Sequence, residues 1–590
     1  MSDHILIFSF GPVQGFISEA RRAQDLWAGS TWLSDVARAA LTACQQLGAR
    51  LIYPTDPSQL TLPNLFVVRA ASDSVKALVD AAEAAARNAV VDRALGVAQP
   101  ALRALVAVDP VWEGIWTRQT ENHLEIYWAA APMGEAGYTE AYHSASRAFE
   151  ATKRLRPFSQ TLEEGVKDSL SGSRSALRTR DLGAREYWAA LAGAIAANPH
   201  SGYSPSMLKP GGRERLDALG ASKRFGFDGQ RFPSLSTVAV GPFLKLAGTR
   251  CPEALMAHRE KVEALGVFRL PRLADRLPGL EGIEWPFDGD LLYAETLTPE
   301  RLKADYGVTP DPNKVKDARK SLQDLLDRAG SLPSRYYAIL MMDGNSVGEH
   351  IWRCASEDEH RRLSDTLGQF AAAVQVVEDK FLGRVVYSGG DDLLALLPLS
   401  HAVPAACNLA DQFKGLFSAW TQQHDDGTPL PFSVRAGVAI AHERYPLSVA
   451  LKAAHVAEGL AREVGDKAAL AVQLLIRSGV PVLARAPWAD LEDRFDDAVS
   501  QFGKERMSPR FANELAGEAP HFVGLPADAF SSEVARLAKR HNKRKAQSAS
   551  EARGFAETMA GWKSQANLGP EELAVWISVA GFVAREGGAV

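Results

Sequence analysis

Cysteine is scarce in this chain of 590 residues, with four copies, Cys44, Cys251, Cys354 and Cys407, none spaced C-x2-C from another. That spacing excludes the usual cysteine zinc module, and four scattered thiols fit a reducing compartment better than a disulfide framework. No run approaches about 18 apolar residues and no charged-then-apolar leader is present, so neither a membrane span nor secretion is expected and a cytoplasmic protein is. Charge of one sign is missing too. Lysine plus arginine number 66 against 71 for aspartate plus glutamate, a formal −5. Any nucleic-acid contact must therefore come from local patches. With 46% hydrophobic and 23% charged residues, the chain can bury several cores, roughly three to five domains.

What is present is concentrated at Gly389-Gly390-Asp391-Asp392, between the apolar runs 384–388 and 393–398. The layout predicts a β-hairpin with two carboxylates at its tip. The glycines permit positive φ and let a nucleotide approach the backbone. Adjacent aspartates repel unless a divalent cation sits between them and a triphosphate. An ordinary acidic turn is the competing reading.

Upstream, the apolar strand 336–342 ends in Asp343-Gly344-Asn345-Ser346. The periodicity then predicts a helix over about 346–381, strands 384–388 and 392–398, helix 401–420, strand 431–441 and helix 446–464, a βαββαβ, ferredoxin-like order. In such a sheet the first strand lies beside the hairpin, so Asp343 should converge with Asp391 and Asp392 on Mg2+ or Mn2+. Gly344, Asn345 and Ser346 feed a helix start that offers N–H groups to phosphate, with Ser388, Gly389 and Gly390 as the neighbouring floor. Lys452, Arg462 and Lys467 come within reach of a triphosphate, Arg462 best placed; a solvated helix face is the alternative.

Further motifs run in order: Phe8-Ser9-Phe10-Gly11-Pro12-Val13-Gln14-Gly15-Phe16-Ile17, Ala20-Arg21, Asp25 to Ser30, Pro63 to Phe66, Lys223-Arg224, Phe232-Pro233-Ser234, Leu291 to Tyr293 and Ala436 to His442. With these the chain resembles, along most of its length, the large polymerase/cyclase subunit of type III-B (Cmr) CRISPR effector complexes. The resemblance implies an α+β protein with two ferredoxin-like palms. Residues 1–132 would be a first palm without GGDD, 133–330 a mainly helical interpalm insertion, 331–478 the second palm, and 479–590 a helical C-terminal domain. The first palm would comprise strand 4–10, helix 14–45, strands near 50–54 and 65–69, helix 72–94 and strand 124–132. Its Gln14, Arg21 and Ser30 become acceptor-nucleotide contacts, with capping and packing as the alternative.

The activity implied is conversion of ATP to cyclic oligoadenylates on target-RNA binding, with other CRISPR effector subunits, guide RNA and target RNA as partners. Asp343 and Asp391 would hold metal, while Asp392 would hold a second metal or help deprotonate the acceptor hydroxyl. Three departures from the family pattern stand out. An N-terminal His-Asp nuclease domain is not expected, since the first palm strand is read from residue 4, and His424-Asp425, the one His-Asp dipeptide, reads as loop, so DNase activity is not expected. The zinc cysteines are absent from 207–224, so no zinc is expected and packing should replace it. Asn345 stands where relatives commonly have a second aspartate. The basic run 536–545 is either a solvated helix face or a contact with RNA or a neighbouring subunit. Two other classes compete: a free-standing GGDEF-related nucleotidyl cyclase, which would normally pair identical palms in a homodimer, and a non-catalytic scaffold subunit. Two unlike palms argue against the first, and three intact aspartates against the second.

Overall fold

The computed structural model describes the chain except residues 1–2, 156–162, 199–202, 228–231, 466, 477–480, 504–506, 509, 544–547 and 589–590. Its N-terminal unit runs β1 (Asp3–Gly11), α1 (Gln14–Ser18), α2 (Ala23–Gln46), β2 (Arg50–Tyr53), β3 (Leu65–Ala71), α3 (Val75–Arg93) and β4 (Glu125–Pro132). The sheet order is β2-β3-β1-β4, with β1 antiparallel to both neighbours, the ferredoxin-like arrangement. The expected helix 14–45 is two helices, because the chain turns through residues 19–22 before α2 begins.

Strand β1 is apolar on both faces because both are covered. Leu6, Phe8 and Phe10 face the core shared with α2 and α3. Ile5 and Ile7 face α4 (Gly137–Leu155), which follows β4 and buries Tyr138, Ala141, Ala145 and Phe149 at helical spacing. In the interpalm segment, α5 (Ala218–Phe225) is buried along its whole length and is capped by Asp217, whose side chain accepts from Gly220 N.

The second palm begins at β5 (Tyr336–Gly344). Where one helix is expected over 346–381 there are α6 (Val347–Trp352), α7 (Glu357–Ala373) and a single turn at Val376–Asp379. The break is chemical: Ser356 is extended and its side chain accepts from Glu359 N, starting α7 afresh. Next come β6 (Arg384–Ser388), β7 (Leu393–Pro398), α8 (Ala402–Leu416), which stops short of 420, β8 (Val434–His442) and α9 (Leu447–Ala461). Two more strands follow, β9 (Ala469–Leu474) and β10 (Val482–Pro487), giving a six-stranded sheet in the order β10-β9-β8-β5-β7-β6.

The sheet therefore runs past residue 478, where a helical C-terminal domain is expected to take over. The helices that follow, from Leu491 to Glu586, share one core with this sheet, and Trp576 Nε1 donates to Arg485 O of β10 at 2.9 Å. Strand β8 is buried throughout. At Gly437 an added Cβ would lie 2.1 Å from Glu458 N and 2.3 Å from Ala454 O, so α9 packs backbone to backbone on β8 and only glycine fits.

The palms meet edge to helix. Arg50 of β2 pairs with Glu357 at 3.0 Å and Asp358 at 3.3 Å on α7, Arg69 pairs with Glu357 at 3.0 Å, and Thr55 N donates to Ser364 Oγ at 3.2 Å.

Candidate functional site

The hairpin closes as the tetrapeptide predicts: Ser388 faces Leu393, Gly389 N donates to Asp392 O at 2.9 Å, and Gly390 takes φ 86°. Beside it, β5 delivers Asp343. Asp343, Asp391 and Asp392 each offer an oxygen within 4.8 Å of the others, and among the described residues no other group of His, Cys, Asp or Glu is so arranged. The surrounding protein raises the Asp391 carboxyl above the ordinary carboxylate range. Asp392, though its side chain meets solvent, is raised by the same crowding and by the charges of Asp391 and Glu458. Such a triad is stable as three anions only with a cation among them, and oxygen ligands of this kind fit Mg2+ or Mn2+.

One central residue has no signal in the sequence. Arg435, on β8 opposite Asp343, is buried and pairs with both Asp343 and Glu458 of α9. Its Nη1 also donates to Asn345 Oδ1 at 2.7 Å. The Asn345 amide in turn donates to Ser433 Oγ and Lys467 O, each at 2.9 Å. Asn345 is thus a cross-link beneath the site, its side chain engaged within the protein, and Lys467 meets it through a backbone carbonyl from an exposed turn at φ 65°.

Gly344 serves close approach, since a Cβ there would lie 2.8 Å from Asp391 Cβ. Ser346 starts α6 at φ 58° without a side-chain cap. The buried Ser388 carbonyl accepts from Thr61 Oγ1, and Tyr53 sets its hydroxyl 3.2 Å from where a Gly390 Cβ would be, so the first palm braces the hairpin.

The triad opens into a cavity of about 660 Å3 between the palms. Asp343, Asp392, Lys452, Glu458 and Arg462 line its polar side, Met341, Leu394 and Leu451 its apolar side, and Gln14 and Ile17 of α1 the opposite wall. Arg462, 58% exposed, holds Nη2 3.6 Å from Asp343 Oδ2. Of the expected acceptor contacts only Gln14 is here. Arg21 is turned away to Glu214 at 2.5 Å, and Ser30 is buried within α2.

A second cavity, of about 630 Å3, repeats this plan in the first palm. Helix α4 follows β4 as α9 follows β8, and it contributes Glu150 and Arg154 at the spacing of Glu458 and Arg462. Trp352 of α6 closes it as α1 closes the first. Phe8 pairs with Phe66 as Met342 pairs with Leu393. One residue further along, Ser9 and Leu65 therefore stand at the places of Asp343 and Asp392, and Asn64 at that of Asp391. The repeat has kept the cavity and lost the carboxylates.

The segment without zinc cysteines is held by charge where packing is expected. Arg224 on α5 pairs with Asp25 at 2.6 Å and Glu214 at 3.1 Å, and Lys223 Nζ donates to Phe16 O at 2.7 Å. Burial opposes ionisation of Glu214, but the Arg224 and Arg21 charges overcome it and hold its carboxyl down at about 2. His424 and Asp425 sit in a loop, paired with Glu349 at 3.0 Å and Arg353 at 2.8 Å. In the basic run, Arg536 pairs with Glu533, and Arg540 and His541 with Glu514; Arg544 and Lys545 lie outside the described residues. No helix among the described residues is long and apolar enough to cross a membrane.

Comparison with known proteins agrees with this geometry. Residues 336–471 match the family described as Cas10/Cmr2, second palm domain, and residues 5–94 that described as CRISPR-associated protein Cmr2, N-terminal. The CRISPR system Cmr subunit Cmr2 of Pyrococcus furiosus is 27% identical over 268 residues, 40% of this chain and 28% of that protein. The chain thus aligns with less than a third of that curated relative. In fold it is similar to a chain of the type III-B Cmr-beta complex solved by cryo-EM in the apo state, with TM-score 0.62, 12% identity, and 92% of this chain and 78% of that one covered. The same complex bound to cognate target RNA gives TM-score 0.63 at 12% identity, with 92% and 79% covered.

Proposed function

From the match of residues 336–471 and 5–94 to the Cas10/Cmr2 palm and Cmr2 N-terminal families, we propose that the chain is the nucleotidyltransferase subunit of a type III-B CRISPR effector complex. It would convert ATP to cyclic oligoadenylates when the complex, with its other subunits and guide RNA, holds target RNA. The observation that carries this reading is the convergence of Asp343, Asp391 and Asp392 on one point at the mouth of a nucleotide-sized cavity.

The donor ATP lies in the second palm. Met341, Leu394 and Leu451 offer its base an apolar wall, while Lys452 and Arg462 meet the triphosphate. The carboxylates would hold a divalent cation, which lowers the pKa of an acceptor 3′-hydroxyl and offsets charge at the α-phosphate as pyrophosphate leaves. Arg435 fixes the Asp343 carboxylate from beneath, and Asn345 fixes Arg435. The acceptor nucleotide lies in the first-palm cavity, where Leu65 stands in the place that Asp392 holds in the second palm, so the two nucleotides have unlike roles. A free-standing homodimeric cyclase is disfavoured because one chain already supplies both palms.

The test is mass spectrometry of products made from ATP and Mg2+ or Mn2+ by the assembled complex with cognate target RNA. Asp391→Asn with Asp392→Asn should keep folding, assembly and RNA binding while product falls by several orders of magnitude, since phosphoryl transfer depends on charge neutralisation and positioning. Product at near the parent rate would transfer the subunit to the scaffold reading.

A further inference from the structure

A third cavity, of about 470 Å3, lies apart from both palm cavities, between the α1–α2 junction, residues 203–207, 225–227 and 232–236, and the segment 268–306. Its size is that of a small-ligand site. Phe225, Phe227, Phe232 and Phe268 give it flat apolar walls. Its polar side is more telling.

Arg276 is 1% exposed. Its Nε donates to Pro271 O at 3.1 Å and its Nη2 to Trp285 O at 2.8 Å and Phe287 O at 3.2 Å, but Nη1 has no partner. Arg276 lines the cavity, and an unpaired buried guanidinium nitrogen is costly unless something fills the place. Arg22 reaches the same space and spends Nη1 on Ser206 O at 2.6 Å.

The acids nearby do not neutralise this pair. Asp288 gives one oxygen to the hydroxyls of Ser234 and Ser236, each at 2.6 Å. Asp290 accepts from Tyr306, and burial pushes its carboxyl well above the ordinary range. Asp305 is paired with Arg301 at 2.7 Å and Glu443 with Arg444 at 3.1 Å. Two arginines thus share the cavity with acids that are each engaged by another partner, within aromatic walls.

We propose that this cavity binds one nucleotide, its base among the phenylalanine rings and an anionic oxygen at the Arg22 and Arg276 side chains. Aromatic stacking with guanidinium contact to phosphate is how single nucleotides are held without base pairing. The nucleotide is either a free mononucleotide or one unit of an RNA strand, the same chemistry from two sources. The site uses none of the palm carboxylates and stands independently of the activity proposed for them.

The experiment is photolabelling of the full chain with 8-azidoadenosine monophosphate, followed by peptide mapping. Label is expected on peptides containing Phe225, Phe232 or Phe268, and it should fall by at least about tenfold in Arg276→Met, the loss of a charged hydrogen bond. Because Arg276 also ties three backbone carbonyls, Arg22→Met at the half-buried rim is the second variant, with the melting curve of each recorded. Protection by a short oligoribonucleotide at lower concentration than by AMP assigns the site to an RNA unit; the reverse order assigns it to a free nucleotide. Label confined to palm peptides, or undiminished in both variants, overturns the proposal.

Discussion

Arg224→Met should cost about 3–5 kcal/mol, the penalty for leaving buried charge without its partner. The side chains of Arg224, Asp25 and Glu214 are 0%, 1% and 2% exposed, so no solvent screens the loss. Arg224 and Arg21 together hold Glu214 at about 2 against an ordinary 4.5, so the roughly 3 kcal/mol this represents at neutral pH, at about 1.4 kcal/mol per pH unit, is an upper bound on what Arg224 supplies through Glu214. The sign follows from the direction: a depressed carboxylate stabilises fully above about 4.5, and its contribution fades as pH falls toward 2. The assay is urea unfolding followed by Trp27, which stacks on Phe232 at 5.6 Å across the seam that Arg224 closes. With slopes of about 1–3 kcal/mol per molar urea, the midpoint should drop by roughly 1–5 M at pH 7, and the gap between parent and variant should narrow toward pH 3. Adding Asp25→Asn and Glu214→Gln should recover part of the loss, since no buried charge is then stranded. A midpoint shift worth under about 1 kcal/mol, as for a surface pair, would refute the reasoning.

Gly437→Ala should destabilise the second palm by at least about 1–3 kcal/mol, because the obstruction is the backbone of α9 and cannot rotate away; thermal melting of the variant checks it. Mn2+ should bind more tightly as pH rises through the neutral range, since the cation must displace protons from carboxyls whose affinity for them is raised; titration calorimetry at several pH values reads the slope, and a flat profile would contradict it. Elemental analysis should find no stoichiometric zinc, and a strong chelator should leave the melting temperature unchanged, because ion pairs rather than thiolates hold the segment around Arg224.

The elements that write themselves locally were legible. The GGDD turn, the apolar strands around it and the βαββαβ order together bring Asp343 to the hairpin without reference to any distant residue. What depended on tertiary pairing was hidden. Arg435 is a lone cation inside an apolar strand, and only the β5–β8 register reveals that it faces Asp343. Asn345 looks like a phosphate-turn residue until Ser433 and Lys467 O occupy its amide. Arg21 and Ser30 were assigned by resemblance, and the interpalm Glu214, far along the chain, decides where Arg21 points. Strands β9 and β10 extend the sheet beyond the ferredoxin-like pattern, and that pattern gives no hint of them. The repetition of the palm cavity was invisible for the same reason: Glu150 and Arg154 resemble Glu458 and Arg462 only once both helices are seen to follow equivalent strands.

The two palms are tethered in one polypeptide and locked edge to helix by Arg50, Arg69 and Glu357. A pair assembled from separate subunits dissolves on dilution, and its output scales with the square of concentration at low abundance. Here the second half is always present at the effective concentration set by the tether. Scarcity of the protein therefore cannot silence the cavity between the palms. How the two cavities face each other is then a matter of angle and spacing between halves joined in one chain, across a seam that includes the Arg50–Glu357 pair.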